Sequence, residues 1–338
     1  VDGLDMTDIT RMLPCVKVGE KSEKYSPLKW NEIMKYGNHK VYYKLKTDLE
    51  KKTGYLPDTL GTKYSGSPFY NSIRYRFQFS NRVSAGLTTE KDPGEPIFTN
   101  KNPLYDFTSG YICIDNTGKM KRLIAGDFKP TFGLGLVLQS GFNTGKSSYV
   151  LNVSPYNQGL NKGGSTDESR FFRGVGVNVT DGNIDFTLFY SNKMLDADTI
   201  GGHFSSFYTS GLHRTKTEFS KKQTVNQQVA GGNITFSYNN LRIGLTAVHT
   251  ILDKALQPEV VHYNVFRFSG NKQSTAGINY KFRVNRFNFF GETAIENTLG
   301  VASLNGVMFS PVSRASLVLL HRYYSKKFDS FYANAFSE

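Results

Sequence analysis

A chain of 338 residues has room for one large β domain or two ordinary ones, and its 38% hydrophobic and 14% aromatic residues (Phe 26, Tyr 20, Trp 1) favour strands. A mean hydropathy of −0.40 without a long apolar run excludes a bundle of membrane helices, but not a barrel whose polar lumen positions dilute hydropathy. The net charge of +13 attracts anions, yet the basic residues are scattered, so charge alone does not select a nucleic-acid binder.

Residues 1–36 differ from the rest. The stretch 5–13 reads as a short helix, capped by Asp5 or Thr7 and stopped by Pro14. Ile33 and Met34 form a second, weaker apolar cluster before Gly37. From His39 onward the period becomes two. Val41, Tyr43, Leu45, Thr47 and Leu49 alternate with Tyr42, Lys44, Lys46, Asp48 and Glu50. Hairpins are expected at Ser80-Asn81 (joining 73–79 to 83–89) and at Asp181-Gly182 (175–179 to 184–190). Two more are expected at Asn239-Asn240 (234–238 to 241–249) and Val284-Asn285 (276–282 to 287–295). The polar stretches 91–103, 156–169, 191–226 and 297–313 are expected to be loops.

Short turns at one end and long loops at the other are the asymmetry of outer-membrane barrels. The pattern yields about fifteen strands, with an error of two or three. The expected fold is therefore all-β: an antiparallel up-and-down transmembrane barrel of roughly 14–16 or more strands over 37–338, preceded by a helical segment over 1–36. A soluble sandwich or propeller also alternates. Tyr- and Phe-rich strand ends and strands of ten or more residues favour the membrane barrel. The stop at Ser337-Glu338 leads to the expectation that the barrel is incomplete at its C-terminus, and a start at Val1 shows no leader from which export could be read.

Candidate chemistry is sparse. Gly141-Phe142-Asn143-Thr144-Gly145-Lys146-Ser147 has three residues between its glycines where a phosphate-binding loop needs four. The block Gly126, Asp127, Phe132, Gly133, Gly135 is more distinctive. Glycines on alternate strand positions let another backbone or a plug approach closely, the expectation favoured here over a ligand site. His39, His203, His213, His249, His262 and His321 show no metal-ligand spacing with carboxylates, and no Gly-x-Ser-x-Gly elbow supports a Ser–His–Asp site. Glu292 and Glu296 are expected to face the lumen as solvated wall residues. Cys15 and Cys113 admit one disulfide but no disulfide framework. No catalytic residue, metal site or cofactor is expected.

At 126–147, 211–215, 288–292 and 334–338 the chain resembles a Bacteroidetes family that carries a helix-hairpin-helix region (ComEA-like) before a large outer-membrane-type β-barrel. The resemblance covers most of the chain, and Gly126, Asp127, Phe132, Gly133, Gly135, Gly141, Gly145 and Lys146 are its most distinctive residues. It implies that Val1–Leu13 is the tail of the helix-hairpin-helix unit, with Gly3 and Leu4 in a hairpin that holds DNA phosphate through backbone N–H groups. Asp2 and Asp5 stand where Pro and Gly are usual in that hairpin, and carboxylates repel phosphate.

The leading expectation is a non-catalytic protein of the bacterial outer membrane: a channel, an adaptor or a surface-assembly component. Its expected partners are membrane lipid and lipopolysaccharide, then other envelope proteins. DNA binding or uptake is the alternative, with nucleic acid as partner. A barrel-embedded hydrolase is the third reading.

Overall fold

The computed structural model describes residues 29–56, 63–98, 104–141, 158–262, 264–312 and 315–334. The helix expected over 5–13 lies outside the described residues, as do Gly3, Leu4 and Cys15. The weak cluster at Ile33 and Met34 forms helix α1 (Trp30–Tyr36), which buries Ile33 alone and ends as Gly37 turns extended.

Among the described residues sixteen strands follow, in a single sheet that is antiparallel throughout its main path. They are β1 (Asn38–Lys46), β2 (Tyr70–Phe79), β3 (Val83–Lys91), β4 (Phe107–Thr117), β5 (Met120–Thr131), β6 (Gly159–Lys162), β7 (Phe172–Asp181) and β8 (Ile184–Leu195). β9 (Ala197–Ile200), β10 (His203–Phe207) and a one-turn helix α2 (Lys216–Ser220) fill the next loop. Then come β11 (Val225–Tyr238), β12 (Leu241–Leu256), β13 (Gly270–Val284), β14 (Phe287–Glu296), β15 (Val301–Val312) and β16 (Ala315–Tyr324). Chain neighbours pair in turn except that β6, β9 and β10 stand aside, so β5 pairs β7 and β8 pairs β11. This is the up-and-down wall of an outer-membrane β-barrel, held here as an open sheet. Among the described residues β1 pairs only β2, and β16 only β15.

The two faces explain the sequence rhythm. On β8, Phe186, Leu188, Tyr190 and Met194 are exposed, while Thr187, Phe189, Ser191 and Lys193 are buried. On β12, Ile243, Leu245 and Ile251 are exposed, while Thr246, Val248, Thr250 and Leu252 are buried. Water would penalise such an outer face, because each large apolar side chain left wet forgoes about 1.5–3 kcal/mol. Hydrocarbon does not, which is why the polar residues turn inward. Aromatic pairs cluster at the tight-turn end of this face, as in Phe282–Phe289 and Phe287–Phe309, with centroids 4.7 and 4.5 Å apart.

Several boundaries differ from those expected. The stretch 297–313 is largely strand, since Val301–Val312 pairs with both β14 and β16. Within 191–226 lie the end of β8, strands β9 and β10, and α2. Asp181 pairs with Ile184 and Val284 with Phe287, which moves two turns one residue on, to Gly182-Asn183 and Asn285-Arg286. β1 ends at Lys46 and is exposed at every position, so the alternation of 41–49 is not expressed as burial. Residues 331–334 fold into the interior, and 335–338 lie outside the described residues. Cys113 is a buried free thiol.

Candidate functional site

The interior is occupied by the chain itself. After β5, residues 132–140 leave the wall and cross the lumen, and Leu134, Leu136, Val137 and Leu138 are buried against Phe128, Phe172, Phe189 and Phe290 of the wall. A second segment after β16 enters the same space, with Phe328 and Tyr332 packed on that cluster. The two inserts bind each other: Gln139 N donates to Tyr332 O at 3.0 Å and Asn334 N to Gly135 O at 2.9 Å. Together they form an apolar septum.

Polar wall residues hold the septum in place. Crossing the lumen strips backbone N–H groups of strand partners, and each buried donor left unpaired costs about 1–3 kcal/mol. Glu292, 2% exposed on β14, accepts from Leu134 N (2.5 Å), Leu136 N (3.2 Å) and Val137 N (3.3 Å). Glu296 accepts from Asp329 N at 3.0 Å, and Gln273 accepts from Phe331 N at 3.0 Å while donating to Asp329 O at 2.6 Å. Both carboxylates thus face the lumen as expected, but as anchors for inserted backbone and not as solvated wall.

This places most of the distinctive block. Asp127, 1% exposed, makes a two-pronged ion pair with Arg173 (2.7 and 2.9 Å) that ties β5 to β7. Phe132 is in the septum, Gly135 takes the bond from Asn334, and Gly126 lies against the β4 backbone. At Gly133 the Glu292 carboxylate stands 2.8 Å from where a Cβ would be, so only glycine admits the anchor there. The expected close approach of a plug is what the glycines serve. Gly141 lies at the edge of the insert, whereas Gly145 and Lys146 lie outside the described residues.

Two cavities flank the septum. The one at the tight turns, about 500 Å³, is lined by Lys121, Arg122, Lys162 and Arg242 against Asp115 and Asp185. Asp115 bridges Arg122 (2.5 Å) and Lys162 (3.2 Å). The other, about 470 Å³ at the long loops, is lined by Glu168, Lys193 and Asp196 among aromatic rings. Behind it lies a charged cluster that the sequence spacing did not reveal. His213 Nδ1 is 2.6 Å from Asp106 Oδ2, Lys222 Nζ is 2.6 Å from Asp106 Oδ1, and His213 N donates to Glu95 Oε1 at 2.8 Å. His213 Nε2 lies 3.0 Å from Asp196 Oδ2, outside the alignment of a hydrogen bond. Burial drives Glu95 up to about 7 and Glu168 up to about 9, with Asp106 adding to both. For His213 burial works downward, but the Asp106 and Asp196 carboxylates outweigh it and raise the ring to about 9.

The cluster ties the β3–β4, β8–β9 and β10–β11 loops into one clasp. Glu95, Asp106 and His213 could in principle hold a metal ion, since their ligand atoms lie within 4.8 Å. Lys222 and the protonated ring already supply the positive charge such an ion would bring. A Ser–His–Asp relay needs a hydroxyl on Nε2, and the neighbour there is Asp196. The one local signal for this region is Thr215-x-x-Glu218, a reciprocal helix cap that orders the loop beside His213.

No family model and no curated protein matches the chain. Solved structures similar to it include a loop-L8 deletion form of OmpT, an outer membrane protein of Vibrio cholerae, at 11% identity over 85% of this chain and 93% of that one, with a TM-score of 0.31. OmpF of Salmonella typhi in complex with daunomycin is similar at 10% identity over 87% and 92%, with a TM-score of 0.34. An anion-selective porin from Comamonas acidovorans is similar at 8% identity over 83% and 87%, with a TM-score of 0.30.

Proposed function

We propose that this chain forms a non-catalytic, channel-type wall of the bacterial outer membrane whose lumen is held shut by its own inserted segment. The observation that carries this reading is the Glu292 carboxylate gathering three backbone N–H groups of residues 134–137. A carboxylate buried for that purpose fixes the septum in one position between two aqueous cavities. The outer face takes membrane lipid and lipopolysaccharide as its partners through its exposed Leu, Ile and Phe side chains. The insert, residues 132–140, lies within the stretch 126–147 that resembles the Bacteroidetes barrels, and it is on that resemblance alone that we group the chain with them.

Planar-bilayer recording tests this. Wild-type protein is expected to show little or no steady conductance, and Glu292→Ala to open frequent conducting states. A large, steady wild-type conductance unchanged by Glu292→Ala would overturn the reading.

A further inference from the structure

We propose that the cavity at the long-loop end binds an organic cation, a primary amine or guanidinium carried on an apolar group, with Glu168 as its paired carboxylate. The cavity is about 470 Å³, in the range of small-molecule sites, and Phe171, Phe207, Tyr208 and Tyr332 give it aromatic walls. Glu168 lines it, and among the described residues its carboxylate has neither a hydrogen bond nor an ion pair. The nearby Lys193 amine is engaged elsewhere. Lys193 Nζ donates to the carbonyls of Glu168 (3.2 Å), Ser169 (3.0 Å) and Phe171 (3.4 Å) and lies 3.5 Å from the centre of the Phe171 ring. Arg170 is exposed at the rim and makes no ion pair with Glu168 among the described residues.

Gln139, 7% exposed, also lines the cavity, with its Oε1 turned against Gly135. Gly211, with φ of +71°, leaves room for the carboxylate: a Cβ there would stand 2.9 Å from Glu168 Oε2. Burial and the charges of Glu95 and Asp106 keep the Glu168 proton on up to about pH 9. An arriving cation reverses that balance, so binding near neutral pH displaces a proton from Glu168. Aromatic faces stabilise the same class of ligand.

The inference is independent of the channel reading, since a barrel that never conducts would bind the same ligand. The test titrates detergent-solubilised full-length protein calorimetrically with 2-phenylethylammonium, 2-phenylethanol and phenylacetate near neutral pH, in two buffers of different ionisation heat. The amine is expected to bind with release of a proton, the alcohol at least about ten-fold more weakly, and phenylacetate not at all. Glu168→Gln should weaken the amine by at least about ten-fold and abolish proton release, while Arg242→Gln in the opposite cavity changes neither. Equal affinity for amine and alcohol, or an unaltered amine titration in Glu168→Gln, overturns the proposal. Should Glu168→Gln fail to fold, the wild-type preference between amine and alcohol decides it alone.

Discussion

The two ends of the lumen use charge in opposite ways. At the tight turns, Asp115, Arg122 and Lys162 form a bridge in a cavity richer in cations than in acids, with Arg122 and Lys162 side chains 31% and 34% exposed. At the long loops, Asp106, His213 and Lys222 are 1–3% exposed and join two loops around one carboxylate. Partly wet pairs tune the electrostatics of a wall that hydrogen-bonded strands already hold up. A dry cluster is a structural commitment, because removing one member leaves buried charge that is no longer fully balanced.

The sharpest way to break this contrast is Lys222→Met, which removes the ammonium 2.6 Å from the buried Asp106 carboxylate. It should cost about 3–5 kcal/mol, read as a large drop in the temperature of heat-modifiable migration. A cost as small as that of a surface pair would show that the long-loop end is as wet as the other.

Next in size is the response to pH. His213 is raised from 6.5 to about 9, so the stability it lends is complete below about pH 6.5 and lost as pH rises through 9. Glu95 and Glu168 are raised from 4.5 to about 7 and about 9, so the folded state keeps protons that the unfolded chain has released, and stability again falls as pH climbs from 4.5. All three groups act with the same sign. Hydrogen exchange should therefore accelerate around residues 211–222 between about pH 6 and 10 far more than at the tight turns. Equal acceleration at both ends would mean that the clasp does not titrate as a unit.

A smaller effect sharpens the picture within the clasp. Thr215→Ala removes the reciprocal cap with Glu218 and should cost about 1 kcal/mol, with loosening confined to α2. The smallest is Asp115→Asn at the wet end, where a partly exposed bridge contributes about 1 kcal/mol or less and should weaken further as salt is added. A salt-independent loss of several kcal/mol would place that bridge in the same class as the buried cluster.

How far the sequence could be read follows from the range of each interaction. Hairpins at Ser80-Asn81 and Asn239-Asn240 were legible because turn chemistry is local, and in the structure Ser80 and Asn239 take positive φ of 51° and 48°. The turns at 182–183 and 285–286 were read one residue early, since cross-strand pairing and not the dipeptide sets register. β15 was hidden because Asn305 and Gly306 interrupt its apolar pattern, yet both find partners across the sheet. Of the site, the glycines at 126, 133 and 135 announced a close approach but not what approaches. Glu292 is about 158 residues from the Leu134 N–H that it accepts, and no spacing rule reaches that far.

By itself, then, the sequence determined the class of the fold: alternation of period two dictates two-faced strands, and an apolar face that large dictates lipid on one side. Only the tertiary structure decided what lies on the other side. There Glu292, Glu296 and Gln273 meet the stripped backbone of two inserted segments, and His213 meets Asp106 and Lys222. The physical reason is that a strand's facing depends on its neighbours in sequence, whereas burying a charge depends on a partner that the fold alone brings near.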